Sequence, residues 1–224
     1  MPTDDVTRPD LTKWPRLLVA GSPVTPEQAD EILVRTANLY LLDVNDKAWA
    51  HLVYAAFGLD PGKYANATTE SIQAVTAELD VLPLTWLYTS RIASSWIGGP
   101  HGWCDWDGRI GTSTYNIGKN PDRESLLADW VMIANAFPFL DLTAQLLADE
   151  GQGDAPAVAQ WRVREGNAIE EQPGALVAAA EELGEETMFM RFFAPGAERG
   201  VTEERLTAAI ERVRTTRTAP ARTA

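Results

Sequence analysis

Residues 157–167 read AVAQWRVREGN, and this stretch decides the fold class. Small and apolar side chains alternate with polar ones, which is typical of a β-strand with one buried face. Gly166 and Asn167 then predict a turn that sends the chain back. The segment 140–146 alternates in the same way. Because hairpins pair strands antiparallel, these segments favour an antiparallel sheet.

Helical patterns surround these strands. Thr25 and Asn120 each precede a proline that suits a first helical position, and Gln28 completes a capping box with Thr25. Further helices are predicted over residues 46–57, 69–80 and 174–183 and after Thr202, and further strands over 92–97, 109–117 and 188–193. The predicted fold class is α+β, with an antiparallel sheet rich in hairpins, helices packed mainly on one face, and an N-terminal helical segment.

The predicted domain organisation is simple. Residues 1–24 hold four prolines and little periodicity, so they are expected to form an irregular N-terminal arm. Residues 25–214 form a single α+β domain, with a helical part over 25–80 and a sheet-and-helix part over 81–214. The last ten residues, 215–224, are expected to be a disordered tail.

The composition of the chain indicates to which broad class of protein it belongs. The chain has 224 residues, of which 45% are hydrophobic and 23% charged, close to a globular average. No apolar run approaches the length of a membrane span, and the first residues do not resemble a secretory signal. Cys104 is the single cysteine, so no internal disulfide can form. These features together predict a cytoplasmic protein.

The charge of the chain limits the classes of partner that it is expected to bind. The formal net charge is -13 and no basic stripe is present, so direct nucleic-acid binding and binding to anionic membranes are disfavoured. The stretch 165–186 contains seven glutamates and no Lys or Arg. It is interpreted as a solvated face, with a docking face for a basic partner as the alternative. The expected partner is a protein or a small polar ligand. Composition gives no oligomeric state.

The loop over residues 96–108, WIGGPHGWCDWDG, is the densest segment for chemistry. It holds one of two histidines, the only cysteine, and three of eight tryptophans. Asp107 and Gly108 predict a two-residue hairpin turn, with residues 101–117 forming the hairpin. In extended flanks, alternate residues face opposite ways. Trp103 is then expected on the face opposite Cys104, and one of Trp103 and Trp106 should pack inward while the other lines a groove.

This alternation also bears on catalysis. It separates Cys104 from His101, so a buried and inert thiol is predicted rather than a nucleophile. His101 and Asp105 would lie roughly 13 Å apart in an extended strand, so no metal site is predicted. No cofactor fingerprint is recognised either. Lys119 lies in a turn that leads into a helix N-terminus, which can attract an anion.

Two functional hypotheses remain open. The first is a binding or interaction protein that uses loop 98–108 as its recognition surface, including the variant of an acidic inhibitor or immunity-type protein. The alternative is a metal-independent enzyme acting on a small polar substrate, with His101 as general acid/base, Asp105 or Asp107 orienting it, and Lys119 or Arg91 as an anion clamp. The predicted binding residues are His101, Trp103, Asp105, Trp106, Tyr115, Lys119 and Arg91.

Overall fold

The computed structural model describes residues 16–37, 56–59, 69–84, 103–104, 107–115, 122–147, 157–174 and 203–218. The elements in these ranges follow in chain order. They are β1 (Arg16–Gly21), α1 (Pro26–Arg35), α2 (Thr69–Leu79), β2 (Gly111–Tyr115), α3 (Arg123–Ala136), β3 (Asp141–Leu147), β4 (Ala157–Arg164), β5 (Asn167–Glu171) and α4 (Glu203–Thr218).

The five strands form one antiparallel sheet in the order β2-β1-β3-β4-β5. Strands β4 and β5 are joined by the predicted hairpin, in which Arg164 pairs with Asn167. Its two turn residues are Glu165 and Gly166, with φ of 52° and 77°, one position earlier than expected from sequence. Positive φ at both positions matches the twist of the flanking strands. The α+β class with an antiparallel sheet is thereby confirmed.

Strand β1 corrects the expectation of an irregular arm for residues 16–21. It lies between β2 and β3 and pairs with both. Leu17, Leu18 and Val19 are all buried, because this strand is covered on both faces. A strand buried on both sides reads as a continuous apolar run rather than an alternation, and the alternation signal is therefore missing.

The main core lies on one face of the sheet. Alternate residues of β3 and β4, including Leu142, Ala144 and Trp161, point to this face and are fully buried. Helix α3 covers them with Trp130 and Ile133. This arrangement agrees with helices packed mainly on one face of the sheet.

A second core cluster lies between the helices. It joins α1, α2 and α4 through buried side chains that include Val34, Leu79 and Ile210. Helix α1 belongs to both clusters, since Ile32 packs in the sheet core and Leu33 in the helical one. The C-terminal helix therefore packs on helices from the N-terminal part of the chain.

The N-termini of α1 and α3 show which of the predicted capping residues are used. The Thr25–Gln28 capping box is present, with Thr25 N–H donating to Gln28 Oε1 at 2.9 Å. At α3, Asp122 rather than Asn120 is the N-cap, because its carboxylate accepts from Ser125 N–H at 2.8 Å. Helix α4 runs to Thr218, so residues 215–218 are helical and not part of a disordered tail.

Several predicted elements lie outside the described residues. These are most of the helix over 46–57, the helix over 174–183, and the strands over 92–97 and 188–193.

Candidate functional site

The first candidate site is the loop that precedes β2. Trp103 is the first residue of this loop that the structure describes. The Trp103 side chain is fully buried, and its ring lies 5.8 Å from that of Trp130 on α3, tilted by 55°. Trp103 therefore contributes to the core, and a direct contact with a partner, as expected from sequence, does not agree with this burial. It is the inward tryptophan of the predicted pair.

Cys104 is also fully buried and belongs to the same core cluster as Trp103. Both neighbouring residues are thus buried, so the alternation expected from the sequence does not separate a buried position from an exposed one here. Only an isolated bridge pairs Cys104 with Ile110, so no long ladder imposes the alternation here. Burial raises the pKa of the Cys104 thiol well above its usual range. The expectation of a buried thiol is confirmed.

The chain reverses where the sequence predicts, although the turn is wider. Cys104 pairs with Ile110, and Gly111 N–H donates to Trp103 O at 3.1 Å. This register centres the turn on Asp107 and leaves residues 105–109 between the paired positions, so it is not a two-residue hairpin. Gly108 has a φ of 81°, as the turn prediction requires.

The far end of the loop is attached to the segment between β1 and α1. Val24 N–H donates to Gly108 O at 2.8 Å. A Cβ atom on Gly108 would lie 2.2 Å from Val24 O, so no other residue fits this contact without a shift of the backbone. The loop is consequently fixed on both sides of residues 105–106.

Asp107 carries the exposed charge of the described part of the loop. Its carboxylate is 3.3 Å from Arg109 Nη2 and 3.8 Å from Arg205 Nη1 on α4. The Asp107 and Arg109 side chains are both about 60% exposed, so these ion pairs contribute little to stability. Asp107 therefore presents a carboxylate on the surface of the loop.

The remaining predicted site residues are only partly located. Tyr115 ends β2 opposite Arg16 of β1, and its side chain is outside the described set. Five predicted site residues lie outside the described residues, namely His101, Asp105, Trp106, Lys119 and Arg91. The general acid/base role of His101 and the anion clamp therefore stay predictions.

The acidic stretch 165–186 is described only as far as residue 174. Within that part, Glu170 accepts from Arg123 of α3, and Glu171 accepts from Gln160 at 3.2 Å. Glu165 is exposed. Glu165 also pairs with Arg164 Nε at 3.1 Å, so all three of these glutamates bind groups of this chain.

A second candidate site, which the sequence reasoning missed, is a cleft of about 380 Å³ between α1, α4 and the end of α2. We call it the charged cleft. Its charged lining residues are Glu27, Asp30, Glu31, Asp80, Arg35 and Arg212. Carboxylates therefore outnumber guanidinium groups by two.

Arg35 holds one side of the charged cleft. Its Nη1 donates to Glu31 Oε1 at 2.8 Å and to Ala136 O at 3.2 Å, and its Nη2 donates to Asp80 Oδ2 at 2.8 Å. The guanidinium carbon also lies 5.0 Å from the centre of the Phe137 ring. Arg35 thus connects the ends of α1, α2 and α3, and its charge is neutralised within the protein.

Asp30 lies on the opposite side and is 4% exposed. Its Oδ2 accepts from Nη2 of Arg212 on α4. Its Oδ1 is buried and accepts no hydrogen bond. A buried carboxylate oxygen without a donor is unfavourable by about 1–3 kcal/mol.

A weak signal for this residue exists in the sequence. Asp30 stands between Ala29 and Ile32 on the apolar stripe of the predicted helix, where a charged residue is unexpected. Its partner Arg212 is 182 positions away, so the pair cannot be read from local spacing.

Clusters of metal ligands and membrane-spanning helices are both absent from the described ranges. No group of three or more His, Cys, Asp or Glu side chains there is placed to hold a metal ion. None of the described helices combines the length and the apolar character that a membrane crossing requires. Comparison with known proteins gives no relative, since no protein-family model, no curated protein and no solved structure matches this chain.

Proposed function

We propose that this chain is a binding protein that recognises a protein partner through loop 98–108. The observation that carries the proposal is the attachment of the loop on both sides of residues 105–106. Trp103 and Cys104 are buried in the core on one side, and Gly108 is hydrogen-bonded to Val24 on the other. A loop that is held at such points loses less conformational entropy on binding, which favours affinity.

Charge supports a basic partner. The chain carries a net charge of -13, spread along its length. Charge complementarity would speed the encounter with a positively charged protein, and an acidic inhibitor or immunity-type protein acts in this way. A cytoplasmic location agrees with the single buried thiol of Cys104, which forms no disulfide.

The test compares two truncations of apolar side chains in the full-length chain. Trp106→Ala removes the second tryptophan of the loop. Ile169→Ala is the matched control, because Ile169 is 61% exposed and lies on β5, at the edge of the sheet opposite β2. Each immobilised variant is incubated with lysate of the source cells, and the proteins it retains are quantified by mass spectrometry.

We expect one basic protein to be retained by the wild type and by Ile169→Ala and released at high salt. Trp106→Ala should weaken its retention by about thirtyfold, as for an aromatic hot spot of about 2 kcal/mol. Melting temperatures of both variants should stay near that of the wild type. If the two variants retain the basic protein equally, loop 98–108 is not its binding site.

A further inference from the structure

The C-terminal helix α4 reaches the turn of loop 98–108 from outside the sheet core. We infer, on the basis of the proposed function, that α4 controls this loop and that Arg205 is a positioning residue for its turn. Three observations support this control. They are the contact of Arg205 with Asp107, the attachment of Gly108 to Val24, and the packing of α4 on α1.

Arg205 provides the direct contact between α4 and the loop. It lies in the first turn of α4, and its Nη1 is 3.8 Å from Asp107 Oδ1. The other neighbour of Asp107 is Arg109, whose Nη2 is 3.3 Å from Oδ2. The Arg205 side chain is 30% exposed, against 62% for Arg109, so its charge is less screened by water. Helix α4 thus places a half-buried positive charge beside the carboxylate of the loop.

The second attachment of the turn leads to the same pair of helices. Gly108 O accepts from Val24 N–H at 2.8 Å, and Val24 directly precedes Thr25, the N-cap of α1. Helices α1 and α4 pack together in the helical core cluster. They are also joined by the ion pair between Asp30 and Arg212. Residues 107 and 108 are therefore held through one unit, formed by α1 and α4.

Helix α4 belongs to the helical cluster and not to the sheet core. All of its buried hydrophobic residues lie in the former, namely Leu206, Ala209, Ile210 and Val213. A shift of α4 on α1 and α2 therefore does not require the sheet core to open. Such a shift would remove the charge of Arg205 from the loop. By thermodynamic reciprocity, a partner that binds the ordered loop would stabilise the docking of α4.

The expected effect of Arg205 is local. Asp107 is exposed, so its attraction to Arg205 is worth no more than an ordinary surface ion pair. Loss of this attraction should raise the open population of the turn about two- to fivefold, without a measurable change in the global free energy of unfolding. The Val24 amide reports this opening directly, because its proton exchanges with water only when the hydrogen bond to Gly108 breaks.

The test is amide hydrogen exchange of Val24, followed by NMR on the full-length chain at low salt. Arg205→Gln removes the charge, and Arg205→Lys keeps it. Arg214→Gln is the matched control, because Arg214 also lies on α4 but pairs with Glu78 of α2 and with Glu211. Each Arg205 variant is also made in an Asp107→Asn background, in which the carboxylate of the loop is absent.

We expect Val24 N–H to exchange about two- to fivefold faster in Arg205→Gln than in the wild type. Arg205→Lys should restore most of the protection, and Arg214→Gln should leave it unchanged. In the Asp107→Asn background, Arg205→Gln should have no further effect, since the attraction needs both charges. The difference between the wild type and Arg205→Gln should disappear at about 1 M salt, where exposed charges are screened.

Three results would overturn this role of α4. These are unchanged exchange of Val24 in Arg205→Gln, equal acceleration in Arg214→Gln, and the same acceleration in the Asp107→Asn background. None of these measurements involves a partner protein. They decide the role of Arg205 whether or not Trp106→Ala weakens retention of a basic protein, so failure here is distinguishable from failure of the proposed function.

Discussion

Replacing Gly108 by Ala tests the attachment of the loop most sharply, because the structure separates two costs of this change. The first cost is conformational, since Gly108 has a φ of 81°. The second is steric, because the new Cβ would lie 2.2 Å from Val24 O and 3.1 Å from Val24 C. Backbone atoms cannot move away as the end of a flexible side chain can.

The magnitude follows from these two costs. A left-handed conformation costs a non-glycine residue about 1–2 kcal/mol. Relief of the clash moves the loop from Val24 and breaks the 2.8 Å hydrogen bond between Val24 N–H and Gly108 O, which costs about 1–2 kcal/mol more. The free energy of unfolding of Gly108→Ala should therefore fall by about 2–4 kcal/mol.

Gly58→Ala is the matched control. Gly58 has a similar φ of 75°, and a Cβ there would have no neighbouring atom within 4 Å. It should lose only the conformational part, about 1–2 kcal/mol. Urea unfolding followed by tryptophan fluorescence measures both variants. Equal losses, or a loss below about 1 kcal/mol for Gly108→Ala, would refute the close contact with Val24.

Three further predictions concern the core and the charged cleft. Trp103→Ala should lower the free energy of unfolding by about 3–5 kcal/mol in urea unfolding, and a loss below about 1 kcal/mol would show that Trp103 is not a core residue. Because burial raises the pKa of Cys104 in the folded state, the unfolded state loses its thiol proton first, and stability should fall as pH rises above about 8.5. Unfolding at increasing pH should show a smaller decline for Cys104→Ala, and an identical decline would contradict the burial. Arg212→Met should cost about 1–3 kcal/mol, because it leaves the buried Asp30 carboxylate without its only hydrogen-bond donor. Arg214→Met breaks pairs with exposed glutamates and should cost about 1 kcal/mol or less. Similar losses on thermal unfolding would contradict this difference.

Local signals predicted the fold well where the side chains themselves complete the structure. The Thr25–Gln28 capping box and the β4–β5 hairpin depend on residues close in sequence, and both are present. The N-cap of α3 is Asp122, whereas the sequence predicts Asn120. Both residue types can accept a hydrogen bond from a backbone N–H, and only the fold selects between them.

Other features depend on contacts distant in sequence. Residues 16–21 form β1 because β2 and β3 flank them, and nothing in their own pattern shows this. The charged cleft depends on two ion pairs between residues far apart in sequence, Asp30–Arg212 and Arg35–Asp80. The burial of both Trp103 and Cys104 depends likewise on the packing of α3 on the sheet, so strand alternation alone could not predict it.

Photo-crosslinking tests the proposed recognition loop most directly. Photoreactive benzoylphenylalanine is introduced in place of Trp106 or, as the control, in place of the exposed Ile169 on β5, and each full-length chain is irradiated in lysate of its source cells. The account predicts that the probe at position 106 crosslinks to one basic protein and that the probe at position 169 does not. Crosslinking to that protein from position 169 alone, or no crosslink from position 106, would contradict it.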